Sequence, residues 1–356
     1  MKRTLESLLN PQVQLLPKKT AGAIKKPQAI RLDKGELPFL PSLSVQEAIK
    51  RASLEINRYP ELMGGSLRFS LANYCQSKSE QIIVGNGSDD LIELILKAFV
   101  GAGDQVILPT PTFFIYDFAT RVVGGENIYV ARNSKFDLDL EQLIAKVTAK
   151  TKLIFLANPN NPTANLTARE KIIELLELVD CLVVVDECYY EIAGETVVDL
   201  IEEYPNLIVL RSLSKSFGLA GIRLGYSIAN EGIIDYLYRI AQLFPVNKLA
   251  LAAGEAALKD LSYTQANISK LCVERESLKK KLEDLDLVVY PSATNFLFVR
   301  STKITSENLV AQLAQKEIYV ADFGLKQGLD RYHWRTSVGS IQENELLVEA
   351  LQIIHT

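Results

Sequence analysis

The segment RSLSKSFGLAGIRLGY (211–226) places a lysine, Lys215, among hydroxyl and glycine residues directly after an apolar run. A lysine amine that is desolvated in a cleft loses part of its preference for the charged form and becomes a nucleophile. Lys215 is therefore a candidate Schiff-base lysine, and Ser212, Ser214 and Arg223 would supply donors to a phosphate held nearby. The alternatives are a lysine at a helix start and the S-x-x-K motif of serine acyl-transferases. The absence of S-D-N and K-T-G segments disfavours the second.

CLVVVDECYYEI (181–192) ends an apolar strand on two carboxylates, Asp186 and Glu187. Open α/β sheets bind ligands at the carboxyl ends of their strands, and a buried carboxylate needs a partner. Asp186 is therefore either the ion-pair partner of a neighbouring arginine or an acid that faces a ligand. Tyr189, three residues further on, would bring a phenol into the same cleft.

Two turns follow other apolar runs. In GNGSDD (85–90), either Ser88 or Asp89 caps the next helix, or the glycine turn and the helix N-terminus bind an anion. This segment does not complete G-x-G-x-x-G, and the chain has no P-loop motif, which disfavours both nucleotide-binding classes. FLANPNNPT (155–163) is either a tight strand-to-helix loop or a rigid turn that points an asparagine amide at a ligand.

The composition narrows the classes of function. With 39 basic and 43 acidic residues and a net charge of −4, the chain has no electrostatic signature of nucleic-acid or anionic-membrane binding, which indicates a small-molecule substrate. Two histidines are too few for a His-rich metal centre or a His-based triad, so no metal is expected. The four cysteines form no CxxC pair and are predicted to be reduced core thiols.

Neither the apolar runs nor the first residues predict a membrane location. No apolar run approaches the roughly 18 residues of a membrane span, and the first residues lack the apolar core of a secretory signal. We therefore expect a cytoplasmic protein. The basic residues 1–34 are interpreted as a solvated arm, with a targeting or binding segment as the alternative.

Short β-branched runs alternate with segments of helical periodicity, such as DDLIELILKAFV (89–100). This order predicts an α/β protein with a seven-stranded, mostly parallel sheet between helices. The predicted strands are 81–85, 104–109, 127–131, 152–157, 182–187, 207–213 and 223–229. After Asn247, charged helices are followed by the predicted short strands VVYP (288–291), NFLFVR (295–300), IYVAD (318–322) and WRTSVG (334–339), which together predict a smaller α+β domain. The predicted division is a large domain over 40–246, with 1–39 and 247–356 forming an N-terminal arm and a small C-terminal domain, and a hinge at 35–44.

Together these groups meet the requirements of pyridoxal phosphate. That cofactor needs a lysine for its aldehyde, an acid for its ring nitrogen, donors for its phenolic oxygen, an aromatic face and an anion site. On these motifs the chain resembles the fold type I pyridoxal-phosphate aminotransferases of classes I and II, and most closely the histidinol-phosphate aminotransferase subfamily. The resemblance covers about residues 30–345, and it implies that fold for the large domain.

The resemblance implies roles for residues of this chain. Lys215 would bind the cofactor's aldehyde covalently and later move the substrate's proton, and Asp186 would pair with the ring nitrogen. Tyr189 and Asn161 would hydrogen-bond the phenolic oxygen, and Phe113 would stack on the ring. The residues implied to hold the phosphate are Gly87, Ser88, Asp89, Ser212, Ser214 and Arg223.

Two further residues are implied at the substrate side. Tyr59, in INRYP, would cross to the phosphate of a second subunit, which implies a homodimer with shared active sites. Arg335, in WRTSVG, would bind the carboxylate or phosphate of the substrate. The implied reaction is a ping-pong transamination between an amino donor and an oxo acid, with histidinol phosphate and 2-oxoglutarate as the first choice.

The chain departs from the subfamily in its substrate pocket. Ala321 stands where a second anion-binding arginine is usual, and Arg331 and Lys326 are candidates to replace it. The segment that usually reads N-E-N-P-Y has Gly35, Leu37 and Phe39. An aromatic or other α-amino acid aminotransferase therefore stays open. So does a phosphothreonine-type decarboxylase, which would use the same cofactor residues. A non-catalytic regulator is disfavoured because there is no room before residue 30 for an added DNA-binding domain, and no basic recognition helix is visible.

Overall fold

The structure is a computed structural model of the chain and describes residues 5–14, 16, 18 and 28–355. Residues 1–4, 15, 17 and 19–27 of the predicted basic arm lie outside the described residues, so the role of the arm stays a prediction. None of the helices in the described part of the chain is long and apolar enough to cross a membrane.

Within the described residues the strands are β1 (Ile30–Arg31), β2 (Ile82–Gly85), β3 (Gln105–Thr110), β4 (Glu126–Ala131), β5 (Thr151–Ala157), β6 (Leu182–Asp186), β7 (Leu207–Ser212), β8 (Gly225–Ala229), β9 (Val288–Val289), β10 (Phe296–Arg300), β11 (Ile318–Tyr319), β12 (Ala321–Asp322) and β13 (His333–Ser337). The α-helices are α1 (Pro11–Gln14), α2 (Leu43–Ala52), α3 (Gly65–Cys75), α4 (Ser88–Phe99), α5 (Phe114–Val122), α6 (Leu140–Ile144), α7 (Arg169–Leu178), α8 (Tyr190–Ala193), α9 (Glu231–Ile240), α10 (Lys248–Lys259), α11 (Leu261–Glu283), α12 (Ser306–Gln315) and α13 (Ile341–His355).

A seven-stranded sheet forms the centre of the fold. Its strand order is β2-β8-β7-β6-β5-β3-β4, and every neighbouring pair is parallel except those that β8 makes with β2 and β7. All seven strands predicted from the sequence are in this sheet, so the predicted α/β class with a mostly parallel sheet is confirmed. Asp186 at the end of β6 pairs in register with Ala157 of β5 and Leu210 of β7. The ends of three central strands therefore meet at one edge.

Core packing covers both faces of this sheet. Along β6, Val183 and Val185 belong to one cluster of buried side chains and Val184 to another. Successive side chains of a strand point to opposite faces, so this alternation means that β6 is buried on both sides. The all-apolar segment LVVV is typical of a strand that is buried on both faces. It is not typical of a strand with one exposed face.

The smaller α+β part contains two further sheets. One is antiparallel with the order β12-β13-β10-β9, and the other pairs β1 with β11 in parallel. The predicted single strand IYVAD (318–322) is wrong, because the chain changes sheets at Val320: Ile318 pairs with Ile30, and Ala321 pairs with Arg335. Residues 30–31 are thus tied to the C-terminal part of the chain. The predicted domain boundaries stay a prediction.

The four cysteines are free thiols, as predicted. Cys181 and Cys188 are buried, whereas Cys75 and Cys272 are only half-buried, so the description as core thiols holds for two of them.

Candidate active site

A cavity of about 620 Å³ opens at the edge where the central strands end. Its walls are the loops that follow β2, β3, β5, β6 and β7, together with residues 33–36 and β13. The sequence-predicted site residues that line it are Ser88, Asp89, Phe113, Asn161, Asp186, Tyr189, Ser212, Ser214, Lys215, Arg223 and Arg335. The structure thus brings together residues that are separated by up to 247 positions in the chain, from Ser88 to Arg335.

Lys215 lies in a turn after β7 and not at a helix start, so that alternative is wrong. Its Nζ donates hydrogen bonds to the backbone oxygens of Lys34, at 2.8 Å, and Gly35, at 3.3 Å. Burial in the cavity, together with the nearby positive charge of Arg335, lowers the pKa of the Lys215 amine to about 8. An amine with this pKa is about one-tenth neutral at pH 7, a far larger nucleophilic fraction than that of an unperturbed lysine.

Asp186 is a buried carboxylate that faces the cavity. Its Oδ2 accepts a hydrogen bond from the Tyr116 hydroxyl at 2.6 Å, and its Oδ1 accepts one from the Cys188 backbone N–H at 3.1 Å. Burial raises the pKa of Asp186, and these donors act in the opposite direction. The alternative of an arginine partner applies to its neighbour instead: Glu187 forms a buried ion pair with Arg211 at 2.9 Å.

The turn after β2 leads into helix α4 without a side-chain cap. Gly87 is the N-cap residue, and within the described residues neither Ser88 nor Asp89 caps the helix. The helix N-terminus therefore leaves backbone N–H groups available beside the cavity, which favours an anion-binding turn over ordinary capping. Asp89 instead pairs with Arg223, whose Nη2 lies 3.1 Å from Asp89 Oδ2.

Two details of this end of the cavity indicate space for a ligand. The Ser214 hydroxyl oxygen is buried and has no hydrogen-bond partner among the described residues. Gly87 has φ +85°, and a Cβ added there would lie 2.5 Å from Nη2 of Arg223. The left-handed backbone conformation therefore favours glycine, and a side chain at this position would displace the guanidinium of Arg223.

Only one asparagine of the FLANPNNPT segment faces the cavity. Asn158 accepts from the Thr167 backbone N–H at 2.7 Å, and Asn160 donates to the Pro111 backbone oxygen at 3.0 Å, so both stabilise the loop. Asn161 lines the cavity, as predicted. Asn158 and Asn160 therefore agree with the tight-loop interpretation, and the contact of Asn161 with a ligand stays a prediction.

Arg335 is buried on β13 and lines the cavity. Its Nη1 donates to Oδ1 of Asn161 at 2.6 Å and its Nη2 donates to the backbone oxygen of Asp33 at 3.0 Å. The guanidinium lies over the rings of Phe296 and Phe323, 4.7 and 5.3 Å from their centroids. Burial lowers the pKa of Arg335, but an arginine remains charged under ordinary conditions. It can therefore bind an anion in the cavity.

Tyr59 lies outside this cavity. Its side chain is 80% exposed and stacks on Phe244 with ring centroids 4.7 Å apart. The predicted contact of Tyr59 with a second subunit's phosphate therefore stays a prediction.

Position 321 lies on the same face of the small sheet as Arg335. Ala321 is the cross-strand partner of Arg335, and directly opposite residues of an antiparallel pair have their side chains on the same face. An arginine at 321 would lie beside Arg335, whereas Ala321 contributes no positive charge there. Neither Lys326 nor Arg331 is among the described residues that line the cavity.

Sequence reasoning missed Tyr116, the hydroxyl donor to Asp186. The signal was present, because Tyr116 follows Phe113 by three residues at the start of helix α5, and residues at this spacing share a helix face. It also missed the contact of the amine of Lys215 with the backbone of residues 34–35, for which side-chain types give no signal.

Comparison with known proteins agrees with this geometry. A histidinol-phosphate aminotransferase of Thermoanaerobacter pseudethanolicus is 39% identical over 334 residues, covering 92% of this chain and 93% of that protein. One from Thermococcus gammatolerans is 38% identical, covering 91% and 92%. The crystal structure of histidinol-phosphate aminotransferase from Sinorhizobium meliloti in complex with pyridoxal-5'-phosphate matches with a TM-score of 0.90 at 28% identity, covering 98% of each chain.

A decarboxylase shares the fold. The structure of L-threonine-O-3-phosphate decarboxylase from Porphyromonas gingivalis matches with a TM-score of 0.81 at 25% identity, covering 91% of this chain and 99% of that one. The family model for aminotransferase class I and II matches residues 27–351. The chain therefore belongs to the class I and II aminotransferase family.

Proposed function

We propose that this aminotransferase uses pyridoxal phosphate to move an amino group from histidinol phosphate to 2-oxoglutarate. The observation on which the proposal rests most is the placement of the Lys215 amine, with its pKa lowered to about 8, in one cavity with the buried carboxylate of Asp186. The named relatives at 38–39% identity support the choice of substrate.

The residues present fit this cofactor. The partnerless buried hydroxyl of Ser214 and the close approach of Arg223 to Gly87 form a site that suits a phosphate group. The residues that would hold the phosphate are Gly87, Ser88, Asp89, Ser212, Ser214 and Arg223. Lys215 would bind the aldehyde, Asp186 the ring nitrogen, and Tyr189 and Asn161 the phenolic oxygen. The ring of Phe113 would stack on the pyridine.

The bound cofactor supplies an electron sink for the bonds at the substrate's Cα. Asp186, once ionised, stabilises a positive charge at the ring nitrogen, and the Tyr116 hydroxyl stabilises that ionised state. Lys215 Nζ accepts the proton from the substrate's Cα, since a partly neutral amine is a competent general base near its pKa. Arg335 orients the substrate through its anionic group.

The proposal includes a homodimer with shared active sites, in which Tyr59 contacts the phosphate bound by the second subunit. The exposure of its phenol agrees with such a contact. We also retain the cytoplasmic location that the sequence predicts.

The test is a half-reaction. The purified protein is loaded with pyridoxal phosphate, mixed with histidinol phosphate, and followed by the loss of cofactor absorbance. Lys215→Ala should abolish the reaction and also the borohydride-dependent labelling of the lysine peptide. Lys326→Ala, at a lysine outside the cavity, should change neither. Transamination by Lys215→Ala at the wild-type rate would refute the proposal. The similarity to the Porphyromonas gingivalis enzyme makes decarboxylation the second candidate. Release of carbon dioxide from phosphothreonine without an oxo acid would favour it.

A further inference from the structure

Lys34 is a cation of the cavity wall that the proposed chemistry does not use. Among the described residues, the cations that line the cavity are Lys34, Lys215, Arg223 and Arg335. Arg223 is paired with Asp89, Lys215 is the proposed covalent lysine, and both terminal nitrogens of Arg335 donate to protein oxygens. Lys34 is exposed, and no hydrogen bond or ion pair joins its ammonium to another described residue. Its charge is therefore available to a ligand.

The backbone fixes Lys34 between the two groups that would handle the substrate. Its own backbone oxygen accepts from Lys215 Nζ at 2.8 Å, and the backbone oxygen of Asp33 accepts from Arg335 Nη2 at 3.0 Å. The next residue is held as well, because the Gly35 N–H donates to the Ser337 hydroxyl at 2.8 Å. Residues 33 and 34 therefore contact Arg335, which would bind the substrate's anion, and Lys215, which would carry the amine chemistry.

The surroundings of Arg335 are short of positive charge. Arg335 is buried, and its cross-strand neighbour on the same face is Ala321. Its Nε has no partner among the described residues, but its Nη1 and Nη2 already donate to Asn161 and Asp33. A phosphate monoester has a charge of about −1.5 to −2 near neutral pH, more than one guanidinium balances. A second cation is needed, and the described lining offers Lys34 for it.

We propose that Lys34 supplies the second positive charge for a phosphate monoester bound at Arg335, in place of an arginine at position 321. Lys34 is thus a specificity-determining residue that selects amines bearing a phosphate over the same amines without it. A lysine suits this task because its ammonium acts as a point charge on a flexible stem and needs no bidentate geometry. The proposal rests on the proposed function of the same site.

The test compares histidinol phosphate with histidinol, which lacks only the phosphate. Lys34→Ala removes the ammonium but keeps the backbone oxygen that accepts from Lys215. Because only the contact with the phosphate is lost, kcat/KM for histidinol phosphate should fall by about tenfold or more, mainly through KM, and kcat/KM for histidinol should stay nearly unchanged. Lys34→Arg should retain the preference for the phosphate, and Lys326→Ala is the matched control. Adding Ala321→Arg to Lys34→Ala should restore the preference, because it places a guanidinium beside Arg335.

A fall of equal size for both donors, or no change for either, would overturn the role of Lys34. A second measurement does not depend on the identity of the donor. Inorganic phosphate is used as a competitive inhibitor of the cofactor-loaded enzyme, and its inhibition constant should rise about tenfold in Lys34→Ala. An unchanged constant contradicts the inference even if transamination proceeds. A wild-type enzyme that transaminates other donors but not histidinol phosphate refutes the proposed substrate, and the inhibition constant then decides on Lys34 alone.

Discussion

Replacement of Tyr116 by phenylalanine tests whether Asp186 serves the cofactor as an ionised carboxylate. The Tyr116 hydroxyl lies 2.6 Å from Asp186 Oδ2, with Tyr116 fully buried and Asp186 5% exposed. Water therefore has little access to replace the lost donor. The ring itself should stay in place, because it stacks on Phe155 at 4.5 Å in a manner that needs no hydroxyl.

The expected loss of cofactor affinity follows from the kind of hydrogen bond that Tyr116 makes to Asp186. A bond to a charged group contributes about 1.5–3 kcal/mol, which corresponds to about a tenfold to 150-fold change in an equilibrium constant. If the ionised form of Asp186 pairs with the ring nitrogen, Tyr116→Phe should weaken pyridoxal phosphate binding by a factor in this range. Fluorescence titration of the apoprotein measures it. Tyr204→Phe, which removes a hydroxyl 3.2 Å from Glu177 at the surface, is the matched control and should have no effect.

The pH dependence gives a sharper criterion. Burial raises the pKa of Asp186, and loss of the Tyr116 donor should raise that pKa further. The ionised form is present above the folded-state pKa, so cofactor affinity should be lost as the pH falls through that value. In Tyr116→Phe this loss should begin at a higher pH than in the wild type. Equal affinities and superimposable pH profiles would refute the assigned role of Asp186.

Three further predictions concern the cavity and the residues beside it. The rate of covalent cofactor capture by the apoprotein should rise with pH and level off above about 8, because burial lowers the pKa of Lys215 and only the neutral amine attacks; a stopped-flow series that is flat between pH 6 and 9 would contradict this. Gly87→Ala should weaken cofactor binding with little loss of secondary structure, because its Cβ would lie 2.5 Å from Nη2 of Arg223; isothermal titration measures it. Glu187→Gln should lower the free energy of unfolding by about 3–5 kcal/mol, because it removes the carboxylate that forms the buried ion pair with the guanidinium of Arg211; urea denaturation should show this, and an unchanged midpoint would argue against the ion pair.

The sequence was sufficient for the central sheet and for most residues of the cavity wall. Apolar runs such as LVVVD specify buried parallel strands, and turn residues at their ends mark where a ligand binds. The change of sheets at Val320 was not predictable, because a period-2 pattern shows which residues share a face but not which strand pairs with them.

The contacts of Lys215 with residues 34–35 show a second limit. They involve backbone oxygens of a segment 180 positions away, and backbone groups have no sequence signature. Position 321 shows a third: the substitution was visible, but its closeness to Arg335 depends on the register of β12 against β13. Long-range register is a property of the packed fold rather than of any local segment.

The place of β8 in the sheet sets an order for the assembly of the cofactor site. β8 lies between β2 and β7, and a Cβ on its first residue, Gly225, would be 2.5 Å from the backbone nitrogen of Ser88. β8 is synthesised after both of its neighbours. It connects the strand that leads into α4 with the strand that leads into the turn containing Lys215. A nascent chain that stops before residue 225 has both halves of the site but no strand to connect them. The site that we propose for the cofactor is therefore complete only after residues 225–229 have been synthesised and have paired with both neighbouring strands.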